Sequence, residues 1–294
     1  MRDDIRTLAI RAYDQFTHVH LDRRRLMREL TALTGSAAAA ATLLPALAAS
    51  PAAAAQIAAD DPRLTTGTHE PTLSTGRKLK TYHAWPKGAD MRKLPGVIVV
   101  HENRGLNEHI RDVARRVALA GYAVVAPDFL TVSGGTPADE DAARKAIGAL
   151  NREQTVADAA ALAAHAKAEH GHVGAVGFCW GGALVNSLAE AAGPYLDAAV
   201  PYYGPAPDLA QVGRIRAAML FQRAGLDDRV NAGYPAYLDA LKAAGVRYED
   251  HVYAGANHAF NNDTSAERYN KSAADEAWGR TMAFFAAHLK GAKA

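Results

Sequence analysis

A single cysteine, Cys179, is all that 294 residues contain. No intramolecular disulfide can form, so the fold must rest on its core. No C-x-x-C or H-E-x-x-H pattern offers a metal site, and neither metal nor cofactor is expected. Charge is missing altogether from residues 31–59. Residues 1–30 hold seven arginines against five acids, which leaves 26 basic and 26 acidic residues from Asp60 onward. A domain without net charge gives no electrostatic reason to expect nucleic-acid or anionic-membrane binding. With 49% apolar and 22% charged residues, the chain has the composition of a globular protein with a sizeable core.

The charge-free stretch has a recognisable entry. Asp22-Arg23-Arg24-Arg25-Leu26-Met27-Arg28 precedes an Ala-rich run carrying Leu33, Leu43, Leu44 and Leu47. Small-residue Ala-x-Ala sites follow at Ala46-Leu47-Ala48 and around Ala52–Ala55. Paired arginines, a moderately apolar run and a cleavage zone read as a twin-arginine export signal. Export to the periplasm, with the Tat machinery as partner, is therefore expected. A bilayer anchor and a plain Ala-rich leader on a cytoplasmic protein are the other readings, since a run of 29 residues exceeds the ~20 that span a bilayer. On each reading residues 1–59 stand outside the fold, and 60–294 form one domain.

From Pro62 the pattern alternates strands and helices. Thr66–Leu73 and Lys78–Trp85 flank a Ser74-Thr75-Gly76 turn and predict a hairpin. Gly96–His101, Tyr122–Ala126, Val173–Phe178, Ala198–Tyr203, Ala217–Gln222 and Arg247–Tyr253 are short apolar runs suited to buried parallel strands. Helical spacing appears over Asn107–Ala120, Gln154–His170, Gly181–Ala191, Tyr234–Ala244 and Ala273–Leu289. The predicted class is α/β, a mostly parallel sheet with helices on both faces. The polar, Gly- and Ala-rich segment Phe129–Leu150 is a candidate wall of a substrate site.

Gly177-Phe178-Cys179-Trp180-Gly181-Gly182 follows a strand and opens a helix. This is a nucleophile elbow with cysteine in place of serine. The elbow strains the nucleophile's backbone, and a side chain on either flank would clash. The Trp180 N–H then faces the reacting centre from a helix N-terminus, where partial positive charge favours both oxyanion and thiolate. In order along the chain come Asp227, in Gly225-Leu226-Asp227-Asp228-Arg229-Val230, and His258, in Gly255-Ala256-Asn257-His258-Ala259-Phe260. Each lies in a loop after its own predicted strand, where a triad acid and base belong. Asp228 competes with Asp227 for the acid's role. A histidine suits the base, because it must take the thiol proton and return one to the leaving group.

On these residues, with His101-Glu102-Asn103-Arg104-Gly105 and Tyr202-Tyr203-Gly204, the chain resembles the dienelactone hydrolases of the α/β-hydrolase fold. The resemblance covers roughly residues 65–290. It implies a Cys179–Asp227–His258 triad, with Glu102 assisting thiolate formation and the Asn103 backbone N–H as second oxyanion donor. It also implies hydrolysis of a small ester or lactone through a thioester. A thioesterase, a broad carboxylesterase and a non-catalytic small-molecule binder are the alternatives on the same fold. Arg104, Tyr203 and Asn262 are the candidate substrate contacts. Asn262 stands where the family places a carboxylate-binding arginine, four residues after the catalytic histidine. A carboxylate site without that guanidinium loses grip, which argues against dienelactone itself.

Overall fold

Eight strands in the order β1-β2-β4-β3-β5-β6-β7-β8 form one sheet. The structure is a computed structural model and describes residues 5–20, 22–48 and 55–290. The antiparallel edge is β1 (Leu64–His69) and β2 (Thr81–Pro86), the predicted hairpin, joined through the turn at Gly76. The rest is parallel: β3 (Gly96–Val100), β4 (Ala123–Pro127), β5 (Val173–Phe178), β6 (Ala198–Tyr202), β7 (Ala218–Ala224) and β8 (Tyr248–Tyr253).

Both faces are covered, because successive side chains of a strand point to opposite sides. Val97 and Val99 of β3 pack into one core, Ile98 and Val100 into the other. The first core takes α4 (Glu108–Leu119) and α10 (Lys271–Leu289); the second takes α6 (Arg152–His170), α7 (Trp180–Ala192) and α9 (Tyr234–Ala243). Asn107 caps α4, and Ile110, Val113 and Val117 bury its inner stripe. Each such side chain contributes about 1.5–3 kcal/mol of burial. The buried parallel strands have a functional consequence: their C-terminal ends converge on one edge, where α/β folds bind ligands.

Two short helices were not legible in the sequence. Within the predicted wall, α5 (Glu140–Gly148) is capped by Asp139 and buries Ala143, Arg144 and Ile147. A single turn, α8 (Asp228–Asn231), starts at Asp227.

The larger difference lies before Asp60. Residues 1–59 are expected to stand outside the fold, yet the described part of them packs on it. Helices α1 (Ile5–Gln15), α2 (Arg23–Thr34) and α3 (Ala37–Leu47) share a small core of Ile10, Tyr13, Phe16, Leu26, Leu30 and Leu47. Arg6 pairs with Glu267 at 2.6 Å, Ser265 donates to the Leu47 carbonyl at 3.0 Å, and the Arg144 guanidinium lies 5.4 Å over the Phe16 ring. Apolar residues at helical spacing drive this docking, a signal that a reading centred on charge passes over. Asp22 caps α2 at the arginine run, and Gly35, in left-handed conformation, ends it. Among the described residues no single helix is long and apolar enough to cross a membrane; α2 and α3 meet that test only as a pair bent by 113°. Of the Ala-x-Ala sites, Ala46–Ala48 closes α3, while 52–54 lie outside the described residues.

Candidate active site

Cys179 stands between β5 and α7 with φ 56° and ψ −112°, a backbone that non-glycine residues rarely adopt. The surrounding glycines permit it. A Cβ on Gly177 would fall 2.2 Å from the Gly181 carbonyl oxygen, and one on Gly181 would fall 2.4 Å from the His101 carbonyl. The chain therefore turns tightly enough to set Cys179 at the first turn of α7. The Trp180 N–H belongs to that turn, among the donors without an intrahelical acceptor. The Trp180 ring stacks on His101 at 5.1 Å between centroids.

Asp227 follows β7, and its carboxylate accepts the Val230 N–H as the cap of α8. Its other oxygen lies 2.5 Å from Nδ1 of His258. Asp228 points to solvent, so the acid facing the histidine is Asp227. Burial by itself would depress the basicity of His258; the Asp227 carboxylate and Cys179 overcome it and lift its pKa to about 10. Burial would raise Asp227, but His258, Arg229 and the Val230 N–H hold it below the usual carboxylate range. One ring nitrogen each of His258 and His18 and Sγ of Cys179 all lie within 4.8 Å of one another. The predicted triad is thus brought together from three separate loops.

The remaining residues predicted for the site form a buried ring around it. Glu102 accepts a 2.7 Å hydrogen bond from Asn262 and lies 3.9 Å from Arg104. Asn262 therefore holds Glu102 in place. The Arg104 guanidinium lies 2.9 Å from Glu140 and donates to the Tyr13 hydroxyl at 3.0 Å. The Asn103 side chain donates to the Thr17 carbonyl. Tyr203 is wholly buried, with φ 37° and its ring 5.0 Å from that of His258. Burial, with Glu102 and Cys179 nearby, pushes its hydroxyl far above the ordinary phenol range.

Side chains that close the site come from the N-terminal segment, where no sequence motif marks them. His18 follows α1 on a π-helical turn (Phe16–His20), and its Nε2 sits 2.9 Å from Cys179 Sγ. Its ring meets that of His258 edge-on at 4.6 Å. Asp14 lies 3.6 Å from Arg268, whose guanidinium covers the Tyr13 ring at 5.1 Å. Cys179 is 5% exposed, with His18 of this segment against its sulfur. Between the segment and α5 lies a cavity of about 590 Å³, lined by Tyr13, Phe16, Met27, Leu44, Glu140 and Arg144. The predicted wall does border a cavity, though one shared with α1–α3.

Comparison with known proteins gives a consistent result. A model of the dienelactone hydrolase family matches residues 79–289. A protein of Escherichia coli K12 named "Putative carboxymethylenebutenolidase" is 34% identical over 256 residues, 81% of this chain and 93% of that one. A solved structure titled "Putative Dienelactone Hydrolase", from Klebsiella pneumoniae, superposes with a TM-score of 0.67 at 32% identity, over 76% of this chain and 99% of its own. A dienelactone hydrolase from Anabaena variabilis, 17% identical and covering 77% and 99%, shares the fold with a TM-score of 0.59.

Proposed function

This chain belongs to the dienelactone hydrolase family and is a hydrolase of that kind, and from that premise we propose that it cleaves an ester or lactone through Cys179. One observation carries the reading: Asp227 and His258 stand in hydrogen-bonded line at the mouth of a strained elbow that presents the sulfur. His258 takes the thiol proton, and the thiolate attacks the carbonyl carbon. Negative charge on the carbonyl oxygen is met by the N–H groups of Trp180 and Asn103. The C–O bond breaks, and the alkoxide leaves with the proton from His258. Water, deprotonated by His258, then attacks the thioester and releases the acid and the thiol. Asp227 keeps Nδ1 of His258 protonated throughout. Glu102, held by Asn262, stands ready to favour the thiolate.

The test uses the whole chain with p-nitrophenyl acetate. Cys179→Ala is expected to lower kcat to background, and one equivalent of an alkylating reagent should do the same to the native protein. Retained turnover in Cys179→Ala would falsify the reading. Binding of a small ester without turnover would favour a non-catalytic member of the fold. A screen of lactones, esters and thioesters, with and without a carboxylate, sets the acyl class.

We also propose that residues 1–59 are an export leader of twin-arginine type. The arginines at 23–25 are exposed at the start of α2, and the uncharged α3 follows. Mass spectrometry of the periplasmic fraction should find a processed N-terminus. Intact residues 1–59 on protein confined to the cytoplasm would remove this proposal.

A further inference from the structure

Three nitrogen and sulfur atoms from distant parts of the chain converge on one buried point. His18 Nδ1 lies 2.8 Å from the Asp14 carbonyl oxygen. The Thr17 hydroxyl lies 2.9 Å from the same nitrogen and donates its own proton to that carbonyl at 3.2 Å; a carbonyl only accepts, so a proton on Nδ1 suits both neighbours and leaves Nε2 with a lone pair. That lone pair faces Cys179 Sγ at 2.9 Å. His258 repeats the arrangement. Its Nδ1 is fixed by the Asp227 carboxylate, and its Nε2, on a residue 2% exposed, has no hydrogen-bond partner.

Counting protons shows the difficulty. With both rings neutral, two lone pairs face one thiol, whose single proton serves only one of them. With the Cys179 proton moved to His258, the His18 lone pair faces a thiolate. Protonating His18 as well would meet every partner, but it places a second cation 4.6 Å, ring to ring, from His258, which is 2% exposed. A divalent cation meets both nitrogens and the sulfur at once.

The donor chemistry selects the cation. One thiolate with two imidazoles suits zinc and its neighbours, whereas calcium and magnesium take oxygen. Both rings have the outer partners typical of histidine ligands, a carboxylate on one and a backbone carbonyl on the other. Ligands sharing a tetrahedral zinc sit roughly 3.5 Å apart, given Zn–S of about 2.3 Å and Zn–N of about 2.0 Å. His18 must therefore draw back slightly from the sulfur, while the 4.8 Å envelope of the three atoms already accommodates the ion.

We propose that in the unprocessed chain His18, Cys179 and His258 form a binding site for a thiophilic divalent cation of the zinc class, present only while the N-terminal segment is docked. Binding releases the thiol proton to solvent and leaves sulfur as a metal-bound thiolate, with no change of oxidation state. The ion pins the segment to the site and occupies the sulfur lone pair that hydrolysis would use. This departs from the sequence, which gave no reason to expect a metal. It is independent of the hydrolase reading, because the measurement is metal occupancy.

The test is a titration of the full-length, chelator-stripped protein with Zn²⁺ against a chromophoric chelator, repeated with Co²⁺. One equivalent should bind, and Co²⁺ should give a sulfur-to-cobalt charge-transfer band that Cys179→Ser abolishes. His18→Ala and His18→Gln, each checked for unchanged circular dichroism, should bind at least about tenfold more weakly. Equal affinity in native protein and both His18 variants, or a cobalt complex without the sulfur band, overturns the proposal.

Discussion

Cys179, Tyr203 and Ala259 are the three non-glycine residues with positive φ among the described residues, and all three lie at the site. Cys179 is the elbow, Tyr203 packs its ring on His258, and Ala259 follows His258 directly. Strained backbone persists only where its surroundings over-determine it, so the strain marks the residues whose placement matters. At this scale the acid is the informative test. Asp227→Asn should lower kcat on p-nitrophenyl acetate by on the order of 10³–10⁴, because the amide stabilises the wrong tautomer of His258. Asp228→Asn, at an exposed position, should leave kcat within about twofold, surface substitutions being close to neutral. Glu102 was implied only by the family resemblance, while the elbow and the ordered acid and histidine were legible in the sequence, since each follows its own strand. The choice between Asp227 and Asp228 was not, because adjacent residues of a turn differ in direction by tertiary contacts alone.

At the scale of elements, α1 and the turn after it lie on the hydrolase face, and their contacts set how often the sulfur is reachable. Tyr13 is 1% exposed and touches Arg104 and Arg268. Truncating it should cost the docked state about 2 kcal/mol or more, which raises the undocked population roughly thirtyfold. Tyr13→Ala should therefore speed alkylation of Cys179 by iodoacetamide by at least about tenfold, followed by mass spectrometry under pseudo-first-order conditions. An unchanged rate would mean that reagent reaches the sulfur without undocking. Helix α5 belongs to the same surface: Asp141 pairs with Arg23 at 3.2 Å, and Glu140 meets Arg104. Its sequence reads as a polar wall because only three of its residues are buried: Ala143 and Ile147 pack on Leu130, and Arg144 lies over Phe16 of the N-terminal segment.

For the whole molecule, pH acts through buried acids as well as through the triad. Glu190 of α7 is buried, with one carboxylate oxygen lacking a partner. Burial and the neighbouring Asp208 raise its pKa to about 7 from 4.5. The folded protein thus holds this proton more tightly than the unfolded chain. The penalty of ionising it is absent below about pH 4.5, grows as pH rises, and is complete above about 7. Glu190→Gln should match the native Tm in acid and exceed it by a few degrees, about 2–4 °C per kcal/mol, in mild alkali. Thermal denaturation across that range checks the sign. A variant that loses stability at alkaline pH would show that the charged form is the one the fold favours.

The order of strands and helices, the parallel sheet and the position of the cysteine elbow were determined by sequence alone, because periodicity and the elbow's glycines are local signals read within a few residues. Sequence also located the arginine run and the uncharged stretch behind it. Only the tertiary structure decided what residues 5–48 do. His18 and Cys179 are 161 positions apart, and no local pattern records that a histidine after the first helix comes to rest on the elbow cysteine. The lone cysteine that marked the chain at the outset proves to be a point where two histidines meet, which chain topology and packing alone could bring about.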